Sequence, residues 1–190
     1  MVLPARVTHL ESFGVFVDLG CGVTSLIPLE NISISRVSHP SDRFRVGQDI
    51  LVAVTDIDSA ASRFYLTHKE LLGTWMDNAA RFAPGEAVPG IVRGIKPYGV
   101  FIELTPNLSG LAENREGLSP GDGVSVYIKS IRPERMKIKL QVSEKVPPLR
   151  EPLQYQITDG KLERWTYSPP GYEKTPVETV FKAPFTAPAP

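Results

Sequence analysis

Cysteine is nearly absent from this 190-residue chain, in which Cys21 stands alone. A lone thiol closes no internal disulfide, so the fold must rest on its core, and the chain suits a reducing, cytoplasmic setting. Net charge is lacking too, with 21 Lys+Arg against 21 Asp+Glu. That excludes a surface cationic throughout and confines any polyanion site to a local patch. No apolar run approaches the roughly 20 residues that a membrane-spanning helix needs. The opening Met1-Val2-Leu3-Pro4-Ala5-Arg6 lacks the basic-then-apolar order of a secretion signal. His9, His39 and His68 stand at no metal-ligand spacing with one another or with Cys21, so no metal is expected. Gly20-Cys21-Gly22 is not followed by the Lys-Ser/Thr and helix of a phosphate loop. No Ser-His-Asp or paired-carboxylate arrangement stands out either. The expectation is a non-enzymatic chain without cofactor.

What is present is a repeat, the feature to look for first. Residues 3–19 and 88–104 share Pro4/Pro89, Val7/Val92, Gly14/Gly99, Val15/Val100, Phe16/Phe101 and Leu19/Leu104 at an offset of 85. The match resumes at an offset of 74, where Gly47, Val52, Ile57 and Leu66 meet Gly121, Val126, Ile131 and Leu140. Two copies follow, residues 2–70 and a shortened copy at 84–143. The segment missing from the second copy lies within Ile27–Val46. The 15 Gly and 18 Pro favour turns and short strands over long helices.

Each copy reads as about five strands. Val15, Val17 and Leu19 share one face of the second strand, and Ile50, Val52 and Val54 one face of the fourth. Five short antiparallel strands in so few residues fit a closed barrel, which removes exposed edges. The fold class is therefore all-β, two five-stranded barrels. Between them, Leu72, Trp75, Met76 and Ala79 form a one-sided helical stripe, so a short helical linker is expected over 71–83, packing between the barrels. The C-terminal extension, 144–182, is proline-rich. Within it, residues 153–167 carry a hairpin signal around Asp159-Gly160, which pairs Ile157 with Leu162 and Tyr155 with Arg164 and puts Gln154 opposite Trp165. Residues 183–190 are expected to be a disordered tail.

Strand alternation sends Phe16 outward, beside Asp18, because Val15 and Val17 point in. Phe101 goes outward beside Glu103 in the same way. Phe13 and Tyr98 sit three residues earlier. Two exposed rings on a small barrel match the base-stacking platforms of single-strand binders. On the fifth strand Arg63 points outward, as do Lys137 and Lys139 in the second copy. Cations beside such a platform neutralise phosphates. Residues 1–70 hold six cations and eight anions, net −2, whereas residues 83–145 hold nine and seven, net +2. The positive field is therefore expected on the second barrel, around Arg93, Lys129, Arg132, Arg135, Lys137 and Lys139.

Phe13-Gly14-Val15-Phe16-Val17-Asp18-Leu19-Gly20, Arg43–Ile50 and Arg63–Thr67 resemble the S1 RNA-binding domain family. Tyr98–Leu104 and Gly121–Val124 carry the resemblance into the second copy. It covers about residues 2–143 and implies two OB-fold barrels binding single-stranded RNA. The family's stacking aromatics fall on Phe13 and Phe16, then on Tyr98 and Phe101. Its acid-plus-arginine pair falls on Asp58 and Arg63, with Arg132 and Lys137 at those places in copy two. Arg93, Lys129, Arg135 and Lys139 are further candidate phosphate contacts. Two departures stand out. Pro28 and Glu113 replace a histidine that often ends the third strand, which implies a weaker or altered base contact. Copy two also lacks the Glu30–Val46 segment that plugs one barrel end, a role the tail hairpin is expected to assume.

The resemblance implies an RNA-binding role in translation or RNA metabolism, with ribosome or mRNA-associated proteins nearby. The alternative is a protein-interaction module whose barrels bind a ribosomal or ribonuclease partner, favoured by neutral charge, Pro28, Glu113 and the acidic first copy. Copy one starts almost at Met1, which suits a piece of a longer protein.

Overall fold

A computed structural model describes residues 1–20 and 22–182; the tail expected at 183–190 lies outside them. The chain divides into two compact units. Unit 1 holds residues 1–72, Tyr155–Trp165 and the stretch from Glu178 onward. Unit 2 holds Gly73–Gln154 and Thr166–Val177.

Unit 1 contains β1 (Val2–Glu11), β2 (Gly14–Asp18), β3 (Thr24–Pro28), β4 (Asp49–Asp58) and β5 (Arg63–Thr67). Their order is β3-β2-β1-β4-β5, with every ladder antiparallel. β3 lies alongside β5, so the sheet curls into a nearly closed barrel. Of the expected inward residues Val15, Val17, Ile50 and Val52 are buried while Leu19 and Val54 are half-buried, and Val7, Ile27 and Leu66 complete the core. The β3–β4 connection, Leu29–Gln48, buries Ile32, Val37 and Phe44.

Unit 2 contains α1 (Trp75–Ala79), β6 (Ala87–Lys96), β7 (Gly99–Thr105), β8 (Leu108–Ala112), β9 (Gly123–Arg132) and β10 (Lys137–Val146). These five strands form a closed barrel in the order β10-β8-β7-β6-β9. A parallel pairing of Lys139 and Leu140 with Leu111 and Ala112 closes it. Val92, Val100, Ile102, Val124, Val126, Ile128, Ile138 and Leu140 make the core.

The motif glycines have one physical cause in both barrels. A Cβ on Gly14 would stand 2.3 Å from the Ile27 carbonyl oxygen, and one on Gly99 would stand 2.7 Å from that of Ala112. The neighbouring strand approaches too closely for any side chain. Gly14→Ala is therefore expected to cost about 1–3 kcal/mol of stability. Gly94→Ala, whose Cβ would meet only a Phe101 ring atom at 3.9 Å, should be near neutral. Urea unfolding of the two variants beside the parent checks the difference.

The linker is shorter than its apolar stripe suggests. Gly73 takes φ +95 and breaks the run. Leu72 ends a separate 3-10 turn, Lys69–Leu72, and α1 has only five residues. Thr74 starts it with a capping box: Asp77 N donates to Thr74 Oγ1 at 3.1 Å, and Thr74 N donates to Asp77 Oδ2 at 2.9 Å. Trp75 and Ala79 are buried as expected, while Met76 stays 41% exposed.

The 153–167 hairpin does not form. Asp159-Gly160 does turn, with Gly160 at φ +87, but residues 153–163 carry no strand. Their polar groups find partners on barrel 1 instead. Gln156 N donates to Leu71 O at 2.8 Å, and Gly160 O accepts from Val2 N at 3.0 Å. Tyr155 reaches His68 rather than Arg164. An isolated hairpin is marginal in water, so docking on an existing barrel wins. β11 (Arg164–Thr166) pairs with β12 (Glu178–Val180). No hairpin is formed, then, to assume the role of the segment that the second copy lacks. In unit 2 the tail supplies Tyr167, whose buried hydroxyl donates to the Asn107 carbonyl and whose own carbonyl accepts from Trp75 N at 3.0 Å. Burial pushes the Tyr167 hydroxyl pKa upward, so it remains a donor.

Candidate functional site

Both barrels present the same pair of rings. Phe13, in the β1–β2 turn, is 56% exposed, and Phe16 stands half-buried on the outer face of β2. Their centroids lie 6.0 Å apart with the planes at 88°. Tyr98 is 68% exposed, Phe101 is half-buried on β7, and their rings repeat the same 6.0 Å and 88°. An edge-to-face pair holds the rings still while leaving ring face open to a further planar group.

A bulge shapes what flanks each pair. In β1 the extra residue is Thr8, so His9 comes opposite Phe16. The His9 imidazole meets the Phe16 ring edge-on at 6.4 Å and 89°. Metal-ligand spacing gives His9 no role, and only the bulge reveals it as a third ring of the barrel-1 cluster. In β6 the extra residue is Arg93, so Gly94 comes opposite Phe101. Among the described residues no third ring joins the second platform.

The bulge also corrects one candidate. Arg93 is turned out of the strand alternation and lies against Glu103, with Nη2 to Oε2 at 3.3 Å and side chains only 12% and 6% exposed. It is not presented as a phosphate contact. Glu103, the acid beside Phe101, is held by this ion pair. Asp18, the acid beside Phe16, accepts from Gly20 N at 2.8 Å.

The remaining candidates lie on the last two strands of each barrel. In barrel 1 Asp58 and Arg63 face each other across β4 and β5. Asp58 Oδ1 also accepts from Ala61 N at 3.1 Å, and Asp56 pairs with Lys182 Nζ at 3.1 Å. In barrel 2 Arg132 faces Lys137, and Lys139 follows on the same outer face. Lys129 is the extra residue of a bulge in β9 and is exposed. Arg135, also exposed, is 3.6 Å from Glu173. Pro28 ends β3 opposite Gly14, and Glu113 lies exposed just past β8. Among the described residues no three His, Cys, Asp or Glu side chains gather where a metal could sit, and no helix is long and apolar enough to cross a membrane.

The family model for the S1 RNA binding domain matches residues 1–69. Small ribosomal subunit protein bS1 of Leuconostoc lactis is 33% identical over 160 residues, which is 77% of this chain and 37% of that protein. The bS1 homolog of Bacillus subtilis is 30% identical over 155 residues, 75% of this chain and 40% of that protein. The chain thus spans well under half the length of these curated relatives. Among solved structures, a multidomain protein with nucleic acid binding domains from Streptococcus pneumoniae aligns over 80% of this chain and 54% of its own, at 18% identity and a TM-score of 0.36.

Proposed function

From a first barrel whose residues 1–69 match the family model for the S1 RNA binding domain, and a second with the same ring pair, we infer that this chain belongs to that family, binds single-stranded RNA and catalyses no reaction. The observation that carries the reading is the repetition of one ring geometry on the outer face of two barrels. Bases stack on Phe16 and Phe101, with Phe13 and Tyr98 as their edge-on supports. Every base has a π-face, so such platforms tolerate sequence. Exposed Lys137 and Lys139 of barrel 2 stand where phosphates would pass. The relatedness to bS1 proteins along three quarters of the chain supports a role in translation, on or near the ribosome, in the cytoplasm.

The acids next to the platform rings could have favoured a cationic protein partner. Asp18 and Glu103 are instead occupied by Gly20 N and Arg93, which supports the nucleic-acid reading.

Fluorescence anisotropy of a labelled oligouridylate and a labelled oligoadenylate checks this. Both should bind, more weakly as salt rises, with a log–log slope of about −0.7 for each phosphate contacted. Absence of binding to either strand at low salt would remove the RNA reading and favour a protein partner.

A further inference from the structure

The two barrels share their rings but differ in electrostatics at the neighbouring strand pair. At the tip of barrel 1 the facing residues are opposite in charge, Asp58 and Arg63, and Asp56 is already paired with Lys182. At the equivalent place in barrel 2 two cations face each other, Arg132 and Lys137. Like charges directly opposite on paired strands repel. Lys139 adds a third charge along the same face, and Lys129 a fourth at the bulge. All four are exposed, and none makes an ion pair among the described residues. An uncompensated row of this kind is stabilised by an anion that bridges it.

Strand register ties the row to the platform. Phe101 faces Leu111, Leu111 faces Lys139, and Lys139 faces Ser130 across one outer surface. Two strand spacings, about 10 Å, separate the Phe101 and Lys139 backbones. The long lysine stem shortens that gap, so a base on the Phe101 ring and a neighbouring phosphate on the ammonium fit one strand of nucleic acid.

We propose that barrel 2 makes this chain's phosphate contacts, through Arg132, Lys137 and Lys139, and that barrel 1 contributes stacking with little phosphate neutralisation. The proposal rests on the RNA reading above and assigns the backbone chemistry to one barrel. Asp58 stands opposite Arg63 and, without an ion pair between them, offsets its field, whereas the barrel 2 row is of one sign and gains from a polyanion. Counterion release, the main source of affinity for nucleic acid, is then carried by one face of one barrel.

The test uses the full chain, because Tyr155–Trp165 belongs to unit 1 and Thr166–Val177 to unit 2. Binding of labelled oligouridylate is measured between roughly 50 and 200 mM salt for three proteins: the parent, the triple variant Arg132→Gln/Lys137→Gln/Lys139→Gln, and Arg63→Gln. The triple variant is expected to flatten the log–log slope by about 2, from three lost contacts at about 0.7 each, while Arg63→Gln leaves it unchanged. The melting temperature of the triple variant should not fall, since a repulsive row is removed. An unchanged slope in the triple variant, or equal flattening by Arg63→Gln, overturns the division while the RNA reading stands. A clear fall in melting temperature assigns the row a structural role and also overturns it. Failure of the parent to bind at the lowest salt overturns the RNA reading, and this proposal with it.

Discussion

Replacing Phe16 and Phe101 together by alanine is expected to abolish most single-strand affinity, at about 1–3 kcal/mol for each ring removed. Both rings point away from the core, because Val15 and Val17 in β2 and Val100 and Ile102 in β7 take the inward places. Their loss leaves the barrels intact, so circular dichroism should match the parent and urea unfolding should stay within about 1 kcal/mol of it, at about 0.5 kcal/mol for each outward substitution. Each ring is held edge-on by a partner 6.0 Å away. The single variants should be unequal. Phe16 leaves His9 and Phe13 behind as a residual cluster, whereas Phe101 leaves only Tyr98 beside Gly94. Phe101→Ala is therefore expected to lose more affinity than Phe16→Ala. Anisotropy titrations with oligouridylate measure both. Parent-like binding by the double variant would show that the rings serve some other surface.

The barrels were legible because period-2 alternation and the repeat carry the same message. Val15 and Val17 recur as Val100 and Ile102, and a side chain's inward or outward direction follows from its place in the strand. Gly14 and Gly99 were legible as special positions for the same reason. What alternation misses is any break in it. Thr8 and Arg93 are extra residues in their ladders, and one extra residue reverses the side of whatever follows. His9 thereby joins the ring cluster and Arg93 leaves the surface for Glu103. The tail failed for a different cause. A local turn signal at Asp159-Gly160 reports which residues can meet nearby, not that a buried histidine 87 positions before Tyr155 in the chain has an acceptor to satisfy. Likewise the Leu72–Ala79 stripe is apolar in the right rhythm, but Gly73 at φ +95 is a backbone fact that rhythm does not encode.

That histidine makes barrel 1 acid-labile. His68 is fully buried, in T-shaped contact with Phe44 at 5.0 Å and Tyr155 at 5.5 Å. Its Nδ1 donates to the Ile32 carbonyl at 2.7 Å, and its Nε2 accepts from the Tyr155 hydroxyl at 2.9 Å. The same hydroxyl accepts from Leu51 N at 3.2 Å. Burial, with Arg43 nearby, pulls the His68 pKa down to about 4, and burial pushes that of Tyr155 up to about 12. The native state therefore holds a neutral imidazole at a pH where the unfolded chain, titrating near 6.5, has already taken up a proton. Between those values the unfolded state binds more protons, so stability is complete above about 6.5 and falls as pH drops toward about 4. A shift of this size is worth about 3 kcal/mol. Urea midpoints of the parent at neutral pH and just above pH 4 should differ accordingly, and His68→Gln should flatten the dependence. Tyr155→Phe separates the hydrogen bonds from the titration. It strips the donor from His68 Nε2 and the acceptor from Leu51 N at one stroke, leaving two polar groups unpaired at an expected cost of about 2–4 kcal/mol. It should leave the acid dependence in place, because burial is the main cause that holds the His68 pKa down. A Tyr155→Phe variant as stable as the parent would show that the tail packs on barrel 1 through apolar contact alone.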